Sequence, residues 1–173
     1  MCIRDSIQEL AERIKYGNTN DFRQYWKNYP DEREYEETCR DRFLSDLKPL
    51  LANVDVDARP ESRYVSERRA DIQVSFGSSN SNNIPIEIKC NDSKDLWHGI
   101  RKQLIERYTI DPGAHGYGIY LVFWFGYGKT TSHPESGPKP RTPAELGERL
   151  KQLLKNDEER KKISVCVVDC TVH

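Results

Sequence analysis

Residues 70–90 read ADIQVSFGSSNSNNIPIEIKC, and this stretch decides the fold of the chain. Apolar and polar side chains alternate over residues 70–76 and again over residues 84–90, which is typical of β-strands. The segment between them, residues 77–83, has no apolar side chain and is rich in residues that form turns. We therefore predict two strands joined as an antiparallel hairpin.

The alternation predicts that the polar side chains of this hairpin share one face. With the turn centred near Asn80, Asp71 lies opposite Lys89 and Gln73 lies opposite Glu87. The period of two then brings these four side chains together, and the isoleucines fall on the other face. Any even shift of the register keeps the two acids and the lysine on the same side of the sheet.

Two carboxylates that converge repel each other unless a cation lies between them. Mg²⁺ prefers carboxylate oxygens and water as ligands, and a nearby lysine can orient water and stabilise negative charge at phosphorus. These are the groups needed to hydrolyse a phosphodiester. A Glu-x-Lys pair on a strand is equally typical of a surface ion pair. The neighbouring elements are therefore needed to distinguish a catalytic site from such a pair.

Elements with helical or strand periodicity surround the hairpin, and they predict an α/β fold with a central mixed sheet of four to five strands flanked by helices. The nearly all-apolar segment Gly118–Gly126 indicates a strand buried on both faces. The predicted helices cover residues 7–16, 31–51 and 94–108 and a segment that begins at the capping box Thr142–Glu145, and further strands lie near residues 54–56 and 163–168.

The composition indicates one domain of ordinary size, with 173 residues and a net charge of −1. No apolar run approaches the length of a membrane span, and no secretion signal is visible, so we expect no membrane partner. The five cysteines are odd in number and irregularly spaced, which favours a reduced chain in the cytoplasm. Because the net charge is close to zero, the whole chain has no positive potential that would attract nucleic acid, but a local basic groove remains compatible with it.

The first six residues, MCIRDS, resemble the translation of a sequencing-library adapter. We therefore expect residues 1–6 to be an artefact and the natural chain to begin further upstream. Residues 7–30 are then an N-terminal helix and linker, and residues 31–173 form the main domain.

The hairpin and the helix after it carry a family resemblance. Ala70-Asp71-Ile72, Ile86-Glu87-Ile88-Lys89 and Gln103-Leu104 are similar to the D…ExK…Q pattern of the PD-(D/E)xK nucleases, although Ala70 stands where that family has proline. The resemblance implies a restriction-endonuclease-like core, αβββαβ over residues 31–126, with a C-terminal αβ extension.

The resemblance also implies the roles of individual residues. Asp71 and Glu87 would bind Mg²⁺, for which Mn²⁺ can substitute, and the carbonyl of Ile88 would be a further ligand. Lys89 would assist the attacking water. Some members use a glutamate of the first core helix, and we expect it to be Glu36, with Glu37 as the alternative.

The helix over residues 94–108 would complete the site. Gln103 resembles a helix glutamine of one branch of the family, whereas Tyr108 lies five residues later instead of four and is assigned to the core. Lys94, Arg101 and Lys102 are candidates for contacts with phosphates, and a solvated helix face is the alternative for at least half of the basic residues on this helix.

The function implied is a Mg²⁺-dependent endonuclease that acts on DNA, with RNA as an open alternative. The chain would be an effector module tethered to an upstream domain of the same polypeptide, and a homodimer is left open. Two other interpretations compete with this one: a catalytically inactive nuclease fold used as a binding or interaction module, and an unrelated α/β domain with a surface ion pair.

Overall fold

A computed structural model describes residues 2–52, 56–63, 69–77, 82–133 and 137–171. The predicted strand start at Val54 and the centre of the predicted turn at Asn80 lie outside the described residues.

The described residues form five helices, a small hairpin and a five-stranded sheet. The helices are α1 (Ile3–Tyr16), α2 (Glu36–Leu51), α3 (α-helical over Leu96–Gly99 and wound as a π-helix over Ile100–Tyr108), α4 (Pro143–Gln152) and α5 (Asp157–Lys162). The strands are β1 (Trp26–Asn28), β2 (Glu32–Arg33), β3 (Val56–Arg63), β4 (Arg69–Phe76), β5 (Asn82–Cys90), β6 (Gly118–Trp124) and β7 (Ile163–Asp169). None of these helices is long and apolar enough to cross a membrane.

The large sheet has the strand order β3-β4-β5-β6-β7. The first three strands run antiparallel to their neighbours, and β5, β6 and β7 run parallel. The prediction of an α/β fold with a mixed sheet is therefore confirmed. Every residue of β6 is buried, as its apolar sequence predicts for a strand covered on both faces.

Helices cover both faces of the sheet and form a separate core on each. Ile86 and Ile88 of β5 pack on the side of α1 and α2, and each such buried side chain stabilises the fold by roughly 1.5–3 kcal/mol. The side chains of β5 that alternate with them, Glu87 and Lys89, therefore point to the other side, where α3 and α4 pack on β6.

The hairpin of β4 and β5 has a register two residues away from the predicted one. Gln73 pairs with Pro85, so the predicted pairing of Gln73 with Glu87 is wrong. The cause is that Asn82 and Asn83, expected in the turn, already pair with the end of β4 as strand residues. Because the shift is even, the predicted face of each side chain is retained.

Two helix boundaries also differ from the prediction. Helix α2 begins at Glu36 instead of Asp31, because residues 32 and 33 pair with β1 in a hairpin that no alternation signals. Helix α1 begins at Ile3, four residues before the predicted start, and so includes part of the segment that resembles an adapter translation.

Helix α3 is wound more widely than an α-helix, and its apolar residues explain why. Leu96, Ile100, Leu104 and Tyr108 recur at intervals of four, and all four are buried. In an α-helix of 3.6 residues per turn, a spacing of four drifts by about 40° at each step. The i→i+5 bonding of a π-helix, seen where the N–H of Thr109 donates to Leu104 at 3.0 Å, widens each turn beyond four residues, so its drift has the opposite direction and the stripe stays against the sheet.

Candidate active site

The site begins where β4 and β5 separate. Their pairing ends at Ile72 and Ile86. Beyond that point the backbone N–H of Ile88 donates to Oδ2 of Asp71 at 2.8 Å, so a carboxylate satisfies a donor of the open part of β5. Asp71 thus lies beside the backbone of the strand that carries Glu87.

A second carboxylate reaches the same strand from α2. Oε2 of Glu36, the first residue of the helix, accepts a hydrogen bond from the N–H of Cys90 at 2.9 Å. Glu36 is half-buried by this contact, whereas Glu37 is exposed. Of the two candidates on the first core helix, Glu36 is therefore the one at the site. We call the group Glu36, Asp71, Glu87 and Lys89 the fork.

Lys89 lies at the centre of the fork. Its Nζ donates to Oε1 of Glu87 at 2.6 Å and to the carbonyl of Ile88 at 2.9 Å, and it lies 3.7 Å from Oε1 of Glu36. Glu87 is 3% exposed and Lys89 is 6% exposed, so this is a buried cluster of ionisable groups and not a surface ion pair. Solvent reaches the fork past Asp71 and Glu36, which are both half-buried.

Burial and like charge shape the ionisation of the fork. Loss of hydration, followed by the nearby charge of Asp71, raises the pKa of Glu87 to about 8, although Lys89 opposes the shift. Burial alone would lower the pKa of Lys89, but the carboxylates of Glu87 and Glu36 outweigh it and raise that pKa above its usual value. Burial also raises the pKa of Glu36. The fork thus holds closely spaced acids around one ammonium group.

Helix α3 approaches the fork closely because Gly99 has no side chain. A Cβ at this position would lie 2.6 Å from Oη of Tyr120, 2.9 Å from Oε1 of Gln103 and 3.3 Å from Cε of Lys89. Tyr120 fixes the approach by donating from its hydroxyl to the carbonyl of Leu96 at 2.7 Å. Oε1 of Gln103 is among the buried oxygen atoms of the described residues that have no hydrogen-bond partner.

The wide turns of α3 also bear on Tyr108. This residue is buried, and burial followed by the charges of Glu87 and Asp71 raises its pKa to about 12. Its ring therefore belongs to the core, as predicted, and also lies within electrostatic reach of the fork.

Asn91 supports the end of β5 and was not among the predicted site residues. Its Nδ2 donates to the carbonyl of Gly126 at 2.9 Å and to Oγ1 of Thr130 at 2.8 Å, and its Oδ1 accepts from the N–H of Phe125 at 3.0 Å. These bonds fasten the loop after β6 to the strand that carries Lys89. The signal in the sequence was an asparagine directly after an apolar strand, which is common for a residue that bonds neighbouring backbone.

The three predicted phosphate-binding residues do not share one environment. Lys94 and Lys102 are exposed. Arg101 instead holds both carboxylate oxygens of Glu159 at 2.8 Å and also donates to the carbonyl of Leu153. Its hydrogen bond is the main reason that the pKa of Glu159 falls to about 2. The guanidinium of Arg101 therefore joins α3 to α5, and its predicted contact with phosphates stays a prediction.

Replacing Arg101 by alanine is expected to lower the free energy of unfolding by roughly 1–3 kcal/mol, because a charge-assisted, two-pronged contact is lost. Urea denaturation of the two proteins measures the difference. Lys102→Ala, an exposed neighbour, should change stability by less than about 0.5 kcal/mol. Equal effects of the two substitutions would contradict the structural role of Arg101.

The donor types at the fork suit Mg²⁺. Asp71 and Glu87 provide carboxylate oxygens, and Ile88, which follows Glu87 on β5, provides a backbone carbonyl. Within the described ranges, however, no three acidic, histidine or cysteine side chains are already grouped to hold a metal ion. The ammonium of Lys89 donates hydrogen bonds to both Glu87 and the carbonyl of Ile88. A cation can bind these two oxygen atoms only if the ammonium moves away from them.

The comparisons with known proteins identify a family without assigning an activity. A model described as a domain of unknown function, DUF8371, matches residues 2–127. The chain belongs to the DUF8371 family. The matched segment runs from α1 to the loop after β6 and contains the whole fork, whereas α4, α5 and β7 follow it. No curated protein and no solved structure matches the chain.

Proposed function

We propose that this chain is a Mg²⁺-dependent endonuclease with a restriction-endonuclease-like core, which hydrolyses phosphodiester bonds in DNA. Mn²⁺ is expected to replace Mg²⁺. The observation that carries the proposal is the position of Lys89, whose ammonium contacts Glu87 and the carbonyl of Ile88 where Asp71 meets the same strand. In a larger protein this domain would act as the effector module of an upstream recognition domain.

Each residue of the fork has a defined task in this proposal. Asp71, Glu87 and the carbonyl of Ile88 would hold the cation, which when bound supplies Lewis acidity toward the phosphate and toward water. Lys89, released from Glu87, would donate hydrogen bonds to the attacking water or to the phosphate oxygens. Glu36, whose Oε1 lies 3.7 Å from the Lys89 ammonium, would limit where that ammonium can point.

Helix α3 would complete the site around Lys89. The unpartnered Oε1 of Gln103 offers an acceptor close to the lysine stem, and Gly99 gives the space for it. Lys94 and Lys102, exposed on or next to this helix, would contact phosphates of the substrate. Because Glu87 and Lys89 are buried, the scissile phosphate would approach over Asp71 and Glu36.

The proposal is tested by incubating the protein with a covalently closed circular DNA, a single-stranded DNA circle and an RNA, in Mg²⁺, Mn²⁺ or EDTA. Cleavage is expected in either metal and not in EDTA. Asp71→Asn should lower the rate by roughly 10²–10³-fold, because it weakens the charge that holds the cation. Circular substrates show that the cut is internal.

Asp57→Asn is the matched control, since Asp57 is a partly exposed carboxylate on the neighbouring strand β3 and pairs only locally with Arg59. Its activity should equal that of the unchanged protein. If none of the three substrates is cut in either metal, the endonuclease proposal fails.

The burial of the fork favours one alternative, a catalytically inactive nuclease fold that binds or positions a partner. Lys89 donates to Glu87 at 2.6 Å and both side chains are buried, as in a structural contact. In that case the protein would bind nucleic acid or a protein partner without cleavage, and Asp71→Asn would leave binding unchanged. The same incubation followed by a gel-shift measurement separates the two functions.

A further inference from the structure

The two edges of the sheet differ in how they are protected against pairing with another strand. Edge strand β3 carries Asp57, Arg59 and Pro60, the residue types that discourage additional strands. Edge strand β7 reads ISVCVVD and has no charge or proline before its last residue. It pairs with β6 on one side, and no other described strand lies along its outer edge.

The outer edge of β7 lies in a groove between α1 and α4. Residues 164–167 are all half-buried, although both neighbouring helices pack on this strand. The walls of the groove include the small residues Ala11, Ala144 and Gly147. Small side chains on both walls leave the backbone of β7 accessible to a further strand.

We propose that this edge pairs with β7 of a second copy of the chain, in an antiparallel arrangement related by a two-fold axis at Cys166. The strand is self-complementary about that residue, because Val165 then lies opposite Val167 of the other copy on the same face. Cross-strand pairs of β-branched residues stabilise antiparallel sheets. A two-fold interface uses the same surface on both subunits, which this register satisfies.

One ion pair beside the edge is also self-complementary, whereas the other charged residues that line the groove are basic. Glu148 and Lys151 of α4 line the groove, and their side chains lie 2.8 Å apart on the exposed side of the helix. A two-fold axis at Cys166 would bring this pair against the same pair of the second copy, so that each glutamate has a lysine of the other subunit beside it.

The fork is not covered by this pairing, because β5 lies two strands away from β7. Loss of the dimer and loss of the proposed cleavage are therefore separate outcomes. The interface does not depend on the proposed enzymatic function.

Charge reversal tests the interface by light scattering after size-exclusion chromatography over a range of protein concentrations. The unchanged chain should have twice the 20.2 kDa mass of one copy. Glu148→Lys and Lys151→Glu alone should each weaken the dimer at least roughly tenfold, because like charges then meet across the axis. The double exchange should restore it. A monomer at every concentration, or no rescue by the double exchange, would overturn the proposal.

Disulfide formation tests the register. Opposed residues of antiparallel strands have Cα atoms about 4.5–5.5 Å apart, which suits a disulfide. Air oxidation catalysed by copper phenanthroline should therefore link two copies through Cys166, in a Cys2→Ser background that removes an exposed thiol. Burial raises the pKa of Cys166 to about 11, so the reaction is run at pH 9. A dimer that forms without this link would overturn the proposed register.

Discussion

Replacing Lys89 by methionine is expected to lower Mg²⁺-dependent cleavage by roughly 10³-fold or more while the fold is retained. Methionine fills the same buried space but has no charge to place against the phosphate or the water. The change removes the only ammonium group that the described contacts place at Glu87. Lys89 opposes the rise in the pKa of Glu87, so its removal raises that pKa further, and the carboxyl group then keeps a proton, which limits the loss of stability.

The measurement is the rate of cleavage at saturating Mg²⁺, with circular dichroism as the check on folding. Lys48→Met is the matched control, because Lys48 is an exposed lysine near the end of α2, about 18 Å along the helix from Glu36. It should leave both the substrate affinity and the rate unchanged. If Lys89→Met cuts DNA as fast as the control, the catalytic role of the lysine is wrong.

The faces of the central hairpin could be predicted because a strand's period of two is a local property. The alternation around Asp71, Glu87 and Lys89 assigned their sides even though the register was wrong by two residues. A register depends on where the turn begins, and Asn82 and Asn83 are polar residues that serve in a turn or a strand alike. The prediction therefore held for the face and failed for the pairing.

Contacts between distant segments could not be predicted from the sequence in the same way. Glu36 and Glu37 are neighbours at the start of α2, and only the packing of that helix turns Glu36 toward Cys90. The pairing of Arg101 with Glu159 joins residues that no periodicity connects. A helix face that is exposed to solvent and one that contacts a distant part of the chain have the same local sequence pattern.

The winding of α3 had a local signal whose meaning depended on packing. Four apolar residues at strict intervals of four fit an α-helix only with a steady drift. The wider π-helical turns drift in the opposite direction and so offset it, and Tyr108 lies within electrostatic reach of the fork. The spacing was visible in the sequence, but an α-helix explains it nearly as well until the sheet requires one continuous stripe.

Glu87→Gln is expected to change how the stability of the metal-free protein depends on pH. The pKa of Glu87 is about 8 in the folded chain, against a usual value of 4.5. Between these values the folded chain keeps this proton and the unfolded chain has released it, so a rise in pH favours unfolding. The unchanged protein should therefore lose stability from pH 5 to pH 8.5, on the order of a few kcal/mol. Glutamine does not titrate and should remove most of this loss.

Thermal unfolding in EDTA at pH 5 and pH 8.5 measures this difference. Lys89 adds no slope in this range, because its raised pKa keeps it charged in the folded chain and it is also charged in the unfolded one. Glu36→Gln should flatten the dependence less. A cation bound at Glu87 favours the charged carboxylate, so Mg²⁺ should stabilise the unchanged protein more at pH 8.5 than at pH 5. If stability changes with pH equally in the unchanged protein and in Glu87→Gln, this carboxyl group is already ionised at pH 5. Burial and the charge of Asp71 would then not raise its pKa.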